Sequence, residues 1–96
     1  MQHISDPLEQ QVAVALQAAG IKFLHETDFN KEQINPLDFY LTEFNIWIEI
    51  KRYYSERIIK QQEHRPNVIV LQGETAVRIF CALLSSSSIK VLFNVL

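Results

Sequence analysis

The sequence predicts an α/β domain in which a central mixed sheet is flanked by helices. Two stretches keep apolar residues at helical spacing, around Leu8–Ala19 and Ala76–Leu84. Between them, two runs rich in β-branched and aromatic residues are separated by a short turn, and Asn67-Val68-Ile69-Val70-Leu71 is almost continuously apolar. With 96 residues, 48% of them hydrophobic, the chain can build one modest core, so residues 1–96 are expected to form a single domain. A core this small leaves stability marginal, and a homodimer or higher homo-oligomer is the expected supplement.

Asp6-Pro7-Leu8-Glu9 opens the first helix. Asp6 can accept from the orphan N–H groups as N-cap, Pro7 fits the first helical position, and Glu9 completes a capping box. Leu8, Val12, Ala15, Leu16 and Ala19 hold the period, and Gly20 is placed to end the helix in the left-handed conformation, giving a helix over residues 7–19. Ile21, Phe23 and His25 then alternate with Lys22, Leu24 and Glu26 as a short strand, followed by a polar loop over 28–36. Residues 37–43 and 46–51 should pair as an antiparallel hairpin about Glu43, Phe44 and Asn45.

Ser55 and Pro66 bracket a charged helix over 55–64 with Ile58 and Ile59 as its apolar positions. Residues 67–71 read as a central strand covered on both faces, closed by Gln72-Gly73. Ala76, Val77, Phe80, Leu83 and Leu84 predict a helix over 74–84 that the serines at 85–88 end. Ile89, Val91, Phe93 and Val95 alternate with Lys90, Leu92, Asn94 and Leu96 as a terminal strand or arm. The order is α-β-β-β-α-β-α-β.

Several function classes find no support. The single cysteine, Cys81, cannot form an internal disulfide and reads as a buried thiol acting as a small hydrophobe. No apolar stretch reaches membrane-span length and residues 1–6 lack signal-peptide character, so a cytoplasmic protein without membrane attachment is expected. His3, His25 and His64 lack zinc-ligand spacing, and there is no phosphate-cradling glycine loop or serine nucleophile elbow. The net charge of −2 does not suggest a nucleic-acid partner, but its distribution differs from its sum. Acidic residues dominate up to Glu49, whereas Lys51, Arg52, Arg57, Lys60 and Arg65 follow with only Glu56 and Glu63 against them. That strip is either a solvated helix or a track for phosphates, with Tyr53 and Tyr54 able to stack on bases or cap the core.

Charged residues stand where a strand needs none: Asp38 in Leu37-Asp38-Phe39-Tyr40-Leu41, and Glu49 and Lys51 in Ile48-Glu49-Ile50-Lys51. Charge amid apolar strand residues is costly without partners. Strand periodicity puts Glu49 and Lys51 on one face and Ile48 and Ile50 on the other. In the hairpin Asp38 can come beside Glu49, so that two carboxylates and one ammonium meet and need a counterion. A divalent hard cation, Mg²⁺ or Mn²⁺, fits such a pair, and the set suits phosphodiester hydrolysis, with Lys51 orienting or deprotonating water and stabilising developing charge.

Asp38, followed eleven residues later by Glu49-Ile50-Lys51 and preceded by a helix bearing Glu9, resembles the PD-(D/E)XK nuclease superfamily. The likeness runs from Glu9 to about Phe80, because α-β-β-β-α-β is that superfamily's core. It implies a restriction-endonuclease-like fold with a further C-terminal helix and strand, resembling small, phage-type, stand-alone members. It also implies that Asp38, Glu49 and Glu9 ligate the metal and that Lys51 is the catalytic lysine. A polar residue on the helix after the lysine often faces the site, a position that Gln61, Gln62 or Lys60 could fill, with Gln62 carried in the catalytic set. Asn35-Pro36-Leu37-Asp38 departs from the pattern by one extra residue between proline and aspartate.

The implied activity is Mg²⁺-dependent hydrolysis of DNA, duplex or branched, with Arg52, Arg57, Lys60 and Arg65 along the backbone. Plainer readings stand beside it. Glu9 is fully explained as a capping residue, Asp38 as a turn residue after Pro36, and Glu49–Lys51 as an ion pair on a solvated face. The corresponding alternatives are a nuclease-like fold that binds nucleic acid or protein without hydrolysis, and a structural subunit using residues 91–96 as an interface arm.

Overall fold

The computed structural model describes residues 4–30, 32–33, 36–51 and 67–86. The expected helix over 55–64, with Arg52, Tyr53, Tyr54, Arg57, Lys60, Gln61, Gln62 and Arg65, and the expected terminal strand over 89–96 lie outside the described residues.

α1 (Pro7–Ala18) starts as its sequence dictates. The Asp6 carboxylate accepts the Leu8 N–H at 2.8 Å and the Glu9 N–H at 3.1 Å, satisfying two donors that no helical carbonyl can reach. Asp6→Ala is expected to cost about 1 kcal/mol, read as a lower denaturant midpoint at unchanged slope. At the other end Gly20 takes φ +71, while the Ile21 N–H bonds the Leu16 carbonyl and the Gly20 N–H that of Gln17, each at 3.0 Å. This is a Schellman closure, and it turns the chain into the sheet.

β1 (Phe23–His25), β2 (Phe39–Leu41), β3 (Ile46–Lys51) and β4 (Val68–Gln72) form one four-stranded sheet in the order β1-β2-β3-β4. β1–β2 and β2–β3 are antiparallel and β3–β4 is parallel, so the sheet is mixed. The expected hairpin is present but β2 is shorter than residues 37–43. At one end the Asp38 carboxylate occupies the Ile50 N–H where the ladder would continue, and at the other residues 42–45 are all turn, with Asn45 at φ 54. β4 was expected to be central; among the described residues it has one neighbour and stands at the sheet edge, with Val68, Ile69 and Val70 only half-buried.

α2 (Gly73–Leu84) follows β4 directly, Gly73 supplying the φ +86 of the corner. Both described helices pack on one face of the sheet. Leu8, Val12 and Leu16 of α1 and Val77, Phe80 and Leu84 of α2 meet Phe39, Leu41, Ile46 and Ile48 in a single core. Strand alternation then fixes the rest: Ile46, Ile48 and Ile50 serve this core, so Trp47, Glu49 and Lys51 take the opposite face. There Trp47 packs against Tyr40 and Phe29, with ring centroids 4.7 and 5.4 Å away. Cys81, expected buried, is half-buried on α2 beside the Gln11 carbonyl of α1.

Candidate active site

The pairing of Phe39 with Ile48, continued by one residue, sets Asp38 opposite Glu49. Asp38 is held from two sides. Its carboxylate accepts the Ile50 N–H at 2.7 Å, and its main-chain carbonyl accepts the Glu26 N–H at 3.0 Å. Glu49 is buried, 5% exposed, and its Oε1 lies 3.2 Å from the Lys51 Nζ. Lys51 pairs in register with Gln72, at the end of the sheet where β3 and β4 finish together. The three residues singled out on strand spacing are thus brought together, on the face opposite the helical core.

Their electrostatics are those of a crowded acidic site. The Asp38 carboxyl is raised from its ordinary 3.8 to about 7, by burial first and by the charge of Glu49 second, with the Ile50 N–H pulling the other way. The charge of Glu26 adds to the rise. Two carboxylates at this depth cannot both carry charge comfortably without a cation between them.

Glu9 comes to the same end of the sheet by a different route. Having given its N–H to Asp6, it directs its carboxylate across to β1, where Oε1 meets the His25 Nε2 at 2.7 Å. Burial raises its carboxyl pKa, the His25 hydrogen bond opposes this, and the charge of Asp38 adds to the rise, which places the two acids within electrostatic reach. Capping therefore does not account for the Glu9 side chain.

His25, dismissed on sequence spacing, is the residue that was missed. It is buried, edge-on to Phe39 at 5.2 Å between ring centroids, and it opens a 3₁₀ turn over Glu26–Asp28 that falls partly in the expected polar loop. The turn is made by local side chains: Asp28 Oδ2 accepts the His25 N–H at 2.8 Å, and His25 Nδ1 lies 3.0 Å from Thr27 Oγ1. Ligand atoms of Glu9, His25 and Glu26 all lie within 4.8 Å of one another. The available signal was the phase of Ile21, Phe23 and His25, which points the imidazole into the core, where it must find a polar partner.

No family model, curated protein or solved structure matches this chain. Among the described residues, no helix is long and apolar enough to cross a membrane.

Proposed function

We propose that the chain is a metal-dependent nuclease of restriction-endonuclease-like architecture that hydrolyses DNA phosphodiester bonds. The observation that carries this reading is the apposition of Asp38 and buried Glu49 with the Lys51 Nζ 3.2 Å from Glu49. The element order α-β-β-β, followed by a strand parallel to β3, is the order the resemblance implies and supports it further.

The residues fit a hard divalent cation. Asp38 and Glu49 supply two oxygen donors from adjacent strands, buried close enough for the charge of one to raise the pKa of the other. Mg²⁺ or Mn²⁺ held there would supply Lewis acidity toward a phosphate oxygen and counter-charge for the transition state. The protein's own contribution is positional. The Ile50 N–H fixes the Asp38 carboxylate against β3, and Glu49 fixes the Lys51 ammonium at the rim, where it can orient a water or stabilise charge building on phosphorus. Glu9 reaches the same end of the sheet from α1 and adds to its negative potential. The basic residues Arg52, Arg57, Lys60 and Arg65 follow the lysine in sequence and supply the charge to hold a DNA backbone, duplex or branched; a homodimer would present two sites to two strands.

The test is incubation of the purified chain with supercoiled plasmid, a branched junction and single-stranded DNA in Mg²⁺, Mn²⁺ or EDTA, beside Asp38→Ala and Lys51→Ala. Metal-dependent cutting by the wild type alone supports the reading. An inert wild type, or variants that cut equally well, defeats it. The net charge of −2 favours one second reading, a nuclease-like module that binds without hydrolysis, and metal-independent DNA binding with no cleavage is its signature.

A further inference from the structure

We propose that Glu9, His25 and Glu26 form a second cation site, beside the Asp38–Glu49 pair, whose imidazole donor favours a transition ion such as Zn²⁺ over Mg²⁺. The three ligands arrive from α1, β1 and the 3₁₀ turn, with their donor atoms already within 4.8 Å of one another. A shared ion with bonds of about 2.0–2.2 Å sets its donors roughly 3–3.5 Å apart, so binding would open the Glu9–His25 pair from 2.7 Å and bring the more distant donors closer. Nitrogen among the donors is what distinguishes this site. Mg²⁺ takes oxygen ligands, whereas imidazole suits Zn²⁺; Mn²⁺, which binds such donors less tightly, is the EPR-visible probe for the site.

The histidine is held as a ligand needs to be held. Its Nε2 faces Glu9 Oε1 at 2.7 Å and its Nδ1 faces Thr27 Oγ1 at 3.0 Å. Without a cation, Nε2–H donates to Glu9 and Nδ1 accepts the long 3.4 Å bond from the Thr27 N–H. With a cation on Nε2, the ring stays neutral and its one proton sits on Nδ1, donating to Thr27 Oγ1. The imidazole need not turn, because the threonine hydroxyl both donates and accepts. Thr27 is thus a positioning residue for the site.

Mn²⁺ titration of the full chain tests this, with affinity read from loss of the free-ion EPR signal and donor type read by pulsed EPR. In Asp38→Asn, which weakens the other pair, bound Mn²⁺ is expected to show coupling to one imidazole nitrogen and to resist excess Mg²⁺. His25→Gln should abolish the coupling. Glu26→Gln, a half-buried position where folding is not at stake, should weaken that binding about 10–100-fold, and Thr27→Val about tenfold. Absence of nitrogen coupling in Asp38→Asn, or unchanged affinity in Glu26→Gln, overturns the proposal. DNA cleavage is not read, so the nuclease reading can fail without affecting this result, and the converse also holds.

Discussion

Lys51→Ala is expected to lower metal-dependent DNA cleavage by about 10²–10⁴-fold, the range for removing a positioned proton-transfer or charge-stabilising group. The competing explanation for such a loss would be unfolding, and magnitudes separate the two. Lys51 neutralises buried Glu49, so its removal carries a stability cost, but its side chain is 28% exposed and water screens part of that interaction. The cost should be about 1 kcal/mol, too small to mimic the loss of activity in a chain that is still mostly folded. Lys51→Arg sharpens the reading. It keeps the charge beside Glu49 while replacing an amine, which can pass on a proton, with a guanidinium that stays protonated. Cleavage restored to within tenfold of wild type would assign Lys51 an electrostatic role, and cleavage as low as in the alanine variant would assign it proton transfer. Full activity in Lys51→Ala would remove the residue from the site altogether.

The legible parts of this chain were those written in local chemistry. α1 and α2 fall within one residue of their expected limits because Asp6, Gly20 and the serines after Leu84 act on their own neighbours. β3 matches residues 46–51 because a β-branched and aromatic run opens it and Ile48-Glu49-Ile50-Lys51 alternates apolar with charged. The same alternation made Asp38, Glu49 and Lys51 visible, since charge in a strand stands out against its surroundings. The failures are all non-local. The length of β2 depends on which group takes the Ile50 N–H, and a carboxylate took it. Which strands flank β4, of which only β3 is among the described residues, depends on partners that its own residues do not name. His25 was invisible as a site residue because its partner Glu9 lies sixteen positions away on another element, a distance that only the packing of α1 against the sheet closes.

Asp38→Asn is expected to abolish metal-dependent cleavage and yet stabilise the EDTA-treated protein above neutral pH. The folded chain holds the Asp38 proton up to about pH 7, through burial first and the neighbouring Glu49 second, whereas the unfolded chain releases it near its ordinary 3.8. Between those values the native state binds more protons than the unfolded state, so stability falls as pH rises, by up to about 1.4 kcal/mol per pH unit, and levels off above about 7. Asparagine resembles the protonated acid: its carbonyl can accept the Ile50 N–H and its amide can donate to Glu49, with no charge to bury. The variant should therefore lack this slope and exceed wild type by roughly 2 kcal/mol at pH 8, about half of what the whole displacement implies, since the site can relax. Urea melts at pH 5 and pH 8 measure it. Mg²⁺ should then reverse the order, raising wild type by about 2.7 kcal/mol at a hundredfold excess over its dissociation constant while leaving Asp38→Asn nearly unmoved. Parallel pH profiles for the two proteins would show that Asp38 does not carry this charge, and equal response to Mg²⁺ would show that the ion sits elsewhere.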